Sequence, residues 1–576
     1  MPLRRRAAQA DRHTFELVDD GFADHAVPDP VLDHGAAPPG GGQGGTDDAT
    51  DAATDDGDGG AARPDPAHVA SRRRRRRVVA ASVAAVVVVV GGMVTVDAAQ
   101  SRADLARLRE AAGGVAPMLG APAEAWSLDG VEPAGLQLLD GALVVLDGDD
   151  VVAVDLAAGA ERWRTDTGGT AYCGSALFSY GYTLGGEAPD GLVCLTGVPD
   201  ALEAPPEVTS PAPAVADAVV VLDADGTVVG RRDLDPAQGA AVPGPRGGLV
   251  RTLRVGDVPA EHGTELEIDP ATGEAAAVPH GRDVVVVLED ALTGEERWRT
   301  DLPFSDSDTL GCASWAVDEG TGAGPSHARA DLETLWASSV GDVVVVQGCG
   351  VSASFGTDGV RLDDPDNPHD SVTPLPDGTL YRDPSGQGTW GYGGTMPTDA
   401  APAVLAPDGT VRWEPPGALY TPAASDGRDA GLRLVRDGIE LAAFGADGDR
   451  LWSSTAGGTP DRVLAVAGGV VVVPRVGNLV ALDVATGQEL WTLESSAARD
   501  PATDGAGPVD WSTAFTDGEH LIAATQDWSG RDQQLVAVDL ADGEVVWRTG
   551  IGANAWPLAV QGSLLVVEDR SVTRLG

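Results

Sequence analysis

The sequence predicts an all-β fold, a β-propeller of about eight four-stranded blades, preceded by a disordered tail and one transmembrane helix. Three observations predict it. A twelve-residue pattern recurs four times, short apolar runs precede most copies, and an uncharged apolar stretch near the N-terminus follows six arginines. Strands in repeated blocks of this length bury a face only by stacking on neighbouring blocks, as propeller blades do.

The repeat itself has a fixed anatomy. An alternating strand ends at an acidic residue, a tight turn carries a glycine, and a second strand leads to a tryptophan four positions after that glycine. Glycine adopts the positive φ of such a turn without steric cost, and an even spacing along a strand keeps turn and tryptophan in one register. The four copies pair Gly159 with Trp163, Gly294 with Trp298, Gly487 with Trp491, and Gly543 with Trp547.

Weaker copies keep the spacing between the turn glycine and the tryptophan position, although the other residues of the pattern are lost. Trp413 and Trp452 follow turn glycines at the same spacing, whereas Gly230 and Asp363 stand where the tryptophan would be. A strand around Trp126, before the first full copy, is expected to complete the last blade from the N-terminal side and so to remove the open edge of the ring.

The repeat resembles a known family. The stretch Ala481-x-Asp483-x-x-Thr486-Gly487-x-x-x-Trp491 is similar to the tryptophan-docking repeat of quinoprotein (PQQ-like) propellers, in a membrane-anchored form of actinobacterial type. The resemblance implies that each tryptophan is structural and wedges between adjacent blades. It also implies seven or eight blades. Nine positions keep the spacing, and with one degenerate unit interpreted as an insertion we expect eight.

Charge restricts the partners. The chain has 39 Lys+Arg, all of them arginine, against 88 Asp+Glu. The absence of lysine removes Schiff-base and P-loop chemistry. A body this acidic repels phosphate backbones, so nucleic acid is not an expected partner.

A membrane anchor is predicted near the N-terminus. Residues 78–96 are uncharged and mostly apolar, which is just long enough to cross a bilayer as a helix. The arginine run 72–77 is expected to stay in the cytoplasm. The chain is therefore expected to be a single-pass protein of the cell membrane with its propeller outside.

The expected organisation has four parts. Residues 1–71 are a Gly/Pro/Asp-rich tail that cannot bury enough apolar surface to fold. Residues 72–97 hold the arginine run and the span, 98–119 a short helical stalk, and 120–576 the propeller.

Four cysteines lie beyond the predicted span. An even count in an oxidising compartment indicates two disulfides. Sequence proximity favours pairing Cys173 with Cys194 and Cys312 with Cys349 among three possible pairings. A zinc site is the alternative, but the cysteines lack CxxC spacing and nearby histidines.

No motif for catalysis or metal binding is present. The chain has no CxxCH, HExxH or GxSxG, and no two cysteines are adjacent as in catalytic quinoproteins. The acidic stretch Asp363 to Asp370 is dense in oxygen ligands for calcium, but it lacks the glycine and spacing of an EF-hand loop.

Two functions remain open. One is a non-catalytic, membrane-tethered binding or scaffold module for a cell-envelope protein or ligand, with no cofactor and no catalytic residues. The alternative is a dehydrogenase that uses PQQ and calcium through divergent site residues.

Overall fold

A computed structural model describes residues 101–576 except 170, 175–177, 180–181, 184–190, 198–215, 268–277, 306–311, 317–326, 368–369, 385–400, 457, 499–508, 527–532, 554 and 569. These residues belong to one compact unit, Val87–Gly576. They form antiparallel sheets with very little helix, so the fold is all-β, as predicted. The predicted tail and membrane span lie outside the described residues.

Nine of the sheets follow one another along the chain, and we call them blades 1 to 9. The strands of blades 1 and 2 are Glu132–Leu139, Ala142–Asp147, Asp150–Asp155 and Glu161–Asp166, then Ala171–Cys173, Gly191–Thr196, Ala218–Asp223 and Val228–Asp233. Those of blades 3 and 4 are Ala240–Gly244, Gly248–Val255, Asp283–Asp290 and Glu296–Leu302, then Leu335–Val340, Val343–Gly348 and Val351–Phe355.

Blades 5 to 9 follow in the same way. Blades 5 and 6 consist of Ser371–Pro374, Leu380–Asp383, Ala403–Leu405 and Val411–Trp413, then Leu419–Tyr420, Arg433–Asp437, Glu440–Phe444 and Arg450–Ser454. Blades 7 and 8 consist of Ala465–Ala467, Val470–Arg475, Asn478–Asp483 and Glu489–Leu493, then Asp510–Thr516, His520–Gln526, Gln533–Asp539 and Val545–Ile551. Blade 9 consists of Trp556–Val560, Ser563–Glu568, Ser571–Leu575 and Glu124–Asp129.

Smaller elements decorate the blades. Ala424–Ser425 adds a parallel strand to blade 7, and helices cover 101–110, Pro236–Gln238 and Ser495–Ala498. A hairpin and a three-stranded sheet consist of Phe178–Ser179 and Tyr182–Thr183, and of Glu265–Leu266, Ala313–Ala316 and His327–Ala330.

Burial explains the strand composition. The inner strands are packed on both faces, so Ala142–Asp147 reads as an almost continuous apolar run with five buried residues. The outermost strands face solvent on one side, so Glu161–Asp166 alternates between exposed and half-buried residues. Each pattern matches the neighbours that its strand has in the sheet.

The blades close into a ring. Each blade shares an apolar core with the next one, and the core that contains Leu143 and Val152 of blade 1 also contains Leu558 and Leu565 of blade 9. Glu124–Asp129 pairs antiparallel with the last strand of the chain, which confirms the predicted closure.

The number of blades differs from the expected eight. The structure has nine within its described residues, because both degenerate units are blades in their own right. Gly230 lies in a four-stranded sheet. In blade 4 the fourth strand shrinks to a single bridge between Phe355 and Arg361. Neither unit is an insertion.

The ring has two distinct faces. Strands alternate in direction within a blade, so the turns between first and second strands lie on one face and those between second and third strands lie on the other. We call the first the helix face, because the helix over 101–110 lies there, and the second the open face.

The described part of the expected stalk, 98–119, is docked on the ring. Its helix, 101–110, buries Leu108 and lies against connections of blades 6, 8 and 9 on the helix face. Arg107 Nε donates to the carbonyl of Asp426 at 3.0 Å. This segment is therefore part of the propeller and does not project as a free stalk. Over the described ranges, no helix has both the length and the apolar character needed to span a bilayer.

Candidate functional site

Every repeat tryptophan except Trp547 lies against the turn of the following blade. A Cβ on Gly543 would lie 2.7 Å from the ring of Trp491, and one on Gly487 would lie 2.5 Å from that of Trp452. No side chain fits there, so the neighbouring ring requires glycine in addition to the positive φ of the turn. The same contact joins Trp126 to Gly159, Trp163 to Gly226, Trp298 to Gly359, and Trp413 to Gly448.

Most of these rings also form a hydrogen bond with the turn that they cover. Trp491 Nε1 donates to the carbonyl of Leu540 at 2.9 Å, and Trp452 Nε1 donates to that of Val484 at 2.7 Å. Trp126, Trp163 and Trp298 donate in the same way to Leu156, Ala224 and Thr357. The repeat thus links neighbouring blades by packing and by one directional contact.

Blade 2 lacks the tryptophan and fills its place with an arginine two positions later. Arg232 Nε donates to the carbonyl of Ala291 at 3.2 Å, and its guanidinium pairs with Glu289 at 2.6 Å. A Cβ on Gly294 would meet this guanidinium at 3.0 Å. The turn glycine of blade 3 is therefore covered by a planar cation in place of an indole ring.

Trp547 lies at the seam of the ring. Its indole Nε1 is buried and has no hydrogen-bond partner among the described residues. Blade 9 has no turn between its third and fourth strands, because Ser571–Leu575 and Glu124–Asp129 come from opposite ends of the propeller sequence. The carbonyl that accepts this bond in other blades is therefore missing at this junction.

The two predicted disulfides form. Cys173 and Cys194 face each other on paired strands of blade 2, with an S–S distance of 2.06 Å. Cys312 and Cys349 bond at 2.15 Å and tie the segment before blade 4 to the turn between its second and third strands. All four side chains are buried, and the described residues contain no free cysteine.

The acidic stretch Asp363 to Asp370 is folded onto itself. Asp363 occupies the tryptophan position of blade 4, accepts from the amide of Ser354 at 2.6 Å and pairs with Arg361 at 2.7 Å. Asp370 accepts from the amide of Asp364 at 2.6 Å. Burial raises the pKa of Asp370 to about 6. Across the described ranges, no group of three or more His, Cys, Asp or Glu residues comes together as metal ligands.

Asp370→Asn is expected to raise the free energy of unfolding at pH 7.5 by about 1–3 kcal/mol. The raised pKa means that ionising this buried carboxyl at neutral pH destabilises the folded state. Below about pH 4 the carboxyl is protonated in both folded and unfolded chains, so the advantage of the variant should vanish as pH falls from about 7 to 4. Urea unfolding of both proteins between pH 4 and pH 7.5 measures the difference in their free energies of unfolding. A difference that stays constant with pH would contradict a raised pKa of Asp370.

The described connections at the open face include 256–267 and 278–282, which leave the second strand of blade 3 and return to its third strand, and 331–334, which leads into blade 4. On the helix face, the connection 421–432 receives the docked helix. Binding residues concentrate on connections held by a rigid scaffold, so the open face is the candidate binding surface.

Two apolar side chains protrude from short turns of this open face. Ile439 in blade 6 is 77% exposed and Val476 in blade 7 is 93% exposed. The turn of Val476 is held in place, because Trp511 Nε1 donates to the carbonyl of Gly477 at 2.7 Å. Neither protruding side chain contributes to the core of its blade.

The sequence interpretation named the repeat tryptophans and glycines but none of these open-face residues. The structure brings the tryptophans to the blade junctions and the cysteines into two pairs. One sequence feature could have pointed to the open-face residues: Val476 stands before Gly477, where a tight turn normally has Asn or Asp.

The chain is similar in part to known proteins. A family model described as "Outer membrane protein assembly factor BamB" matches residues 394–505, which run from blade 5 into the segment after blade 7. BamB from Moraxella catarrhalis is 11% identical, with 79% of this chain and 99% of that chain covered and a TM-score of 0.30. Quinohemoprotein alcohol dehydrogenase from Comamonas testosteroni is 14% identical, with 79% and 76% covered and a TM-score of 0.31. None of the curated proteins matches the chain.

Proposed function

We propose that the chain is a membrane-tethered, extracytoplasmic β-propeller that binds another component of the cell envelope on its open face and carries out no reaction itself. The observation that carries the proposal is the asymmetry of the ring. Ile439 and Val476 protrude from the open face, whereas the helix face receives the segment that leads from the predicted span.

The location outside the cell rests on two features. Buried disulfides persist in oxidising compartments. The arginine run 72–77 ahead of the apolar stretch 78–96 favours an N-terminus in the cytoplasm. The partial match to an assembly factor supports a role in protein–protein contact.

The alternative of a PQQ-dependent dehydrogenase has little support in the described side chains. A calcium-bound quinone needs several free carboxylate and amide oxygens directed at one point. Asp363 is engaged by a backbone amide and by Arg361. Asp370 accepts from a backbone amide and pairs with Arg382 at 3.6 Å, which leaves its Oδ1 without a partner among the described residues. Within the described ranges, this stretch therefore does not supply the set of oxygens that the group needs.

The proposed location is tested in intact cells whose outer layers have been permeabilised. Added protease is expected to remove the propeller and to leave a small protected fragment that an antibody to residues 1–70 still detects. Loss of that epitope in unlysed cells would reverse the orientation. For the proposed lack of catalysis, the purified exterior domain is incubated with PQQ and calcium and then desalted. A retained quinone absorbance would favour the dehydrogenase.

A further inference from the structure

Val476 is an unusual residue for its turn. Four turns place a non-glycine residue at positive φ directly before a positive-φ glycine, and three of these residues are Asp140, Arg246 and Gln561. The fourth is Val476, at φ 50°. A β-branched side chain is disfavoured in this left-handed region, whereas Asn or Asp is readily accommodated. Since Val476 is also almost fully exposed, the fold gains nothing from it.

The turn is rigid in spite of this strain. Besides the bond from Trp511, the guanidinium of Arg475 donates to the carbonyl of Ala456, and Asn478 Oδ1 accepts from the amide of Ser495 at 3.0 Å. Neighbouring segments therefore hold both ends of the turn. A strained conformation that its surroundings fix in place often marks a functional position, and a pre-organised apolar tip binds with little loss of entropy.

The charges around the tip differ from those of the rest of the propeller. Arg436, Arg462 and Arg475 are exposed near the open-face ends of blades 6 and 7. Arg462 and Arg475 donate to backbone carbonyls, and none of the three forms an ion pair with a carboxylate in the described part of the chain. Of the nearby carboxylates, Asp437 and Glu440 are paired with Arg450. Asp461 is exposed next to Arg462 and forms no ion pair among the described residues, so arginines outnumber unpaired carboxylates around the tip.

We propose that Val476 and Ile439, bordered by Arg436, Arg462 and Arg475, form the docking surface for a protein partner that presents an apolar pocket edged with carboxylates. This rests on the proposed function and specifies its binding site. The chain has 88 acids against 39 arginines, so its overall field repels an acidic partner. Association is steered to the arginine-bordered patch, where unlike charges meet. The apolar tips then supply the buried anchors of the interface.

The first test uses the full chain in its own cells. A benzophenone side chain is placed at Val476 or, as a matched control, at Asp140, which has the same turn geometry but lies on the helix face. After irradiation, a crosslink to another protein is expected from position 476 and not from 140. The captured peptide should contain both apolar and acidic residues. Arg475→Glu should reduce the crosslink at least fivefold.

Several results would overturn the docking surface. They are the absence of a crosslink from 476, capture of lipid or of a second copy of the chain alone, and a yield unaffected by Arg475→Glu. Benzophenone at other open-face positions then shows whether only the proposed docking surface is wrong or the proposed function is wrong as well. A protein captured elsewhere on that face would leave the function standing, whereas capture from no open-face position would contradict both.

The second test separates binding from folding. Asn fits the left-handed conformation better than Val, so Val476→Asn is expected to melt at the same or a higher temperature than the parent. Crosslinking from a benzophenone at Ile439 should nevertheless fall at least fivefold in this variant. An undiminished crosslink in a stable Val476→Asn protein would show that Val476 is not an anchor.

Discussion

Replacing Trp491 by alanine is expected to lower the free energy of unfolding by about 3–5 kcal/mol. The ring is only 9% exposed, covers Gly543 of the next blade and donates to the carbonyl of Leu540. Truncation removes the packing and leaves that carbonyl without its partner. A loss of this size is a large part of a normal stability margin, so thermal unfolding of the exterior domain should detect it at once.

Phenylalanine substitutions at two positions distinguish the contribution of ring packing to stability from that of the indole hydrogen bond. Trp491→Phe keeps most of the packing but removes the donor to Leu540, and it should cost about 1–3 kcal/mol. Trp547→Phe should cost less or nothing, because it removes an indole N–H that is buried without a partner. Equal losses of stability at both positions would contradict the finding that Trp547 Nε1 has no hydrogen-bond partner at the seam of the ring. Alanine variants of Trp163, Trp298 and Trp547 as stable as the parent would refute a structural role for these rings.

The repeat was predictable because its two conspicuous residues depend on each other. Glycine is required where the ring of the preceding blade meets the turn, and the ring is kept where a glycine leaves room for it. Within one copy, the glycine receives the ring of the preceding blade and the tryptophan covers the turn of the following blade, so their fixed spacing in sequence reports two contacts between blades. The same reasoning fails where a different side chain makes the contact. Arg232 covers its turn from two positions later, and no periodicity marks it.

The docked helix and the open-face tip could not be predicted for a different reason. Arg107 and Asp426 are 319 positions apart, and a contact of that kind leaves no local pattern. Nor does Trp511, whose bond to Gly477 fixes the turn of Val476. The sequence shows a valine before a glycine; only the fold shows that its side chain is exposed and its backbone strained.

Starting the chain at Gly130, which removes the segment 101–129 together with everything before it, is expected to abolish the closed ring. The segment buries Leu108, Val115 and Met118 and supplies the outermost strand of blade 9. At about 1.5–3 kcal/mol for each buried side chain, the loss is on the order of 5–10 kcal/mol, comparable to the whole stability of a domain. A chain that starts at Gly130 should aggregate, because the last strand then exposes an unpaired edge.

A rearranged chain tests whether the loss of ring closure is the reason for the expected aggregation. It starts at Gly130, and after Leu575 it continues through a copy of residues 483–488 into Glu124–Asp129, because Leu575 pairs with Glu124 as Leu482 pairs with Glu489. This order supplies blade 9 with the turn that it lacks and gives Trp547 Nε1 a carbonyl equivalent to that of Val484, which Trp452 uses in blade 6. Soluble, monomeric protein should return, with a melting temperature below the parent because the docked helix is absent. If the chain starting at Gly130 is as stable as the parent, or if the rearranged chain aggregates to the same extent, then pairing of this strand is not what closes the ring.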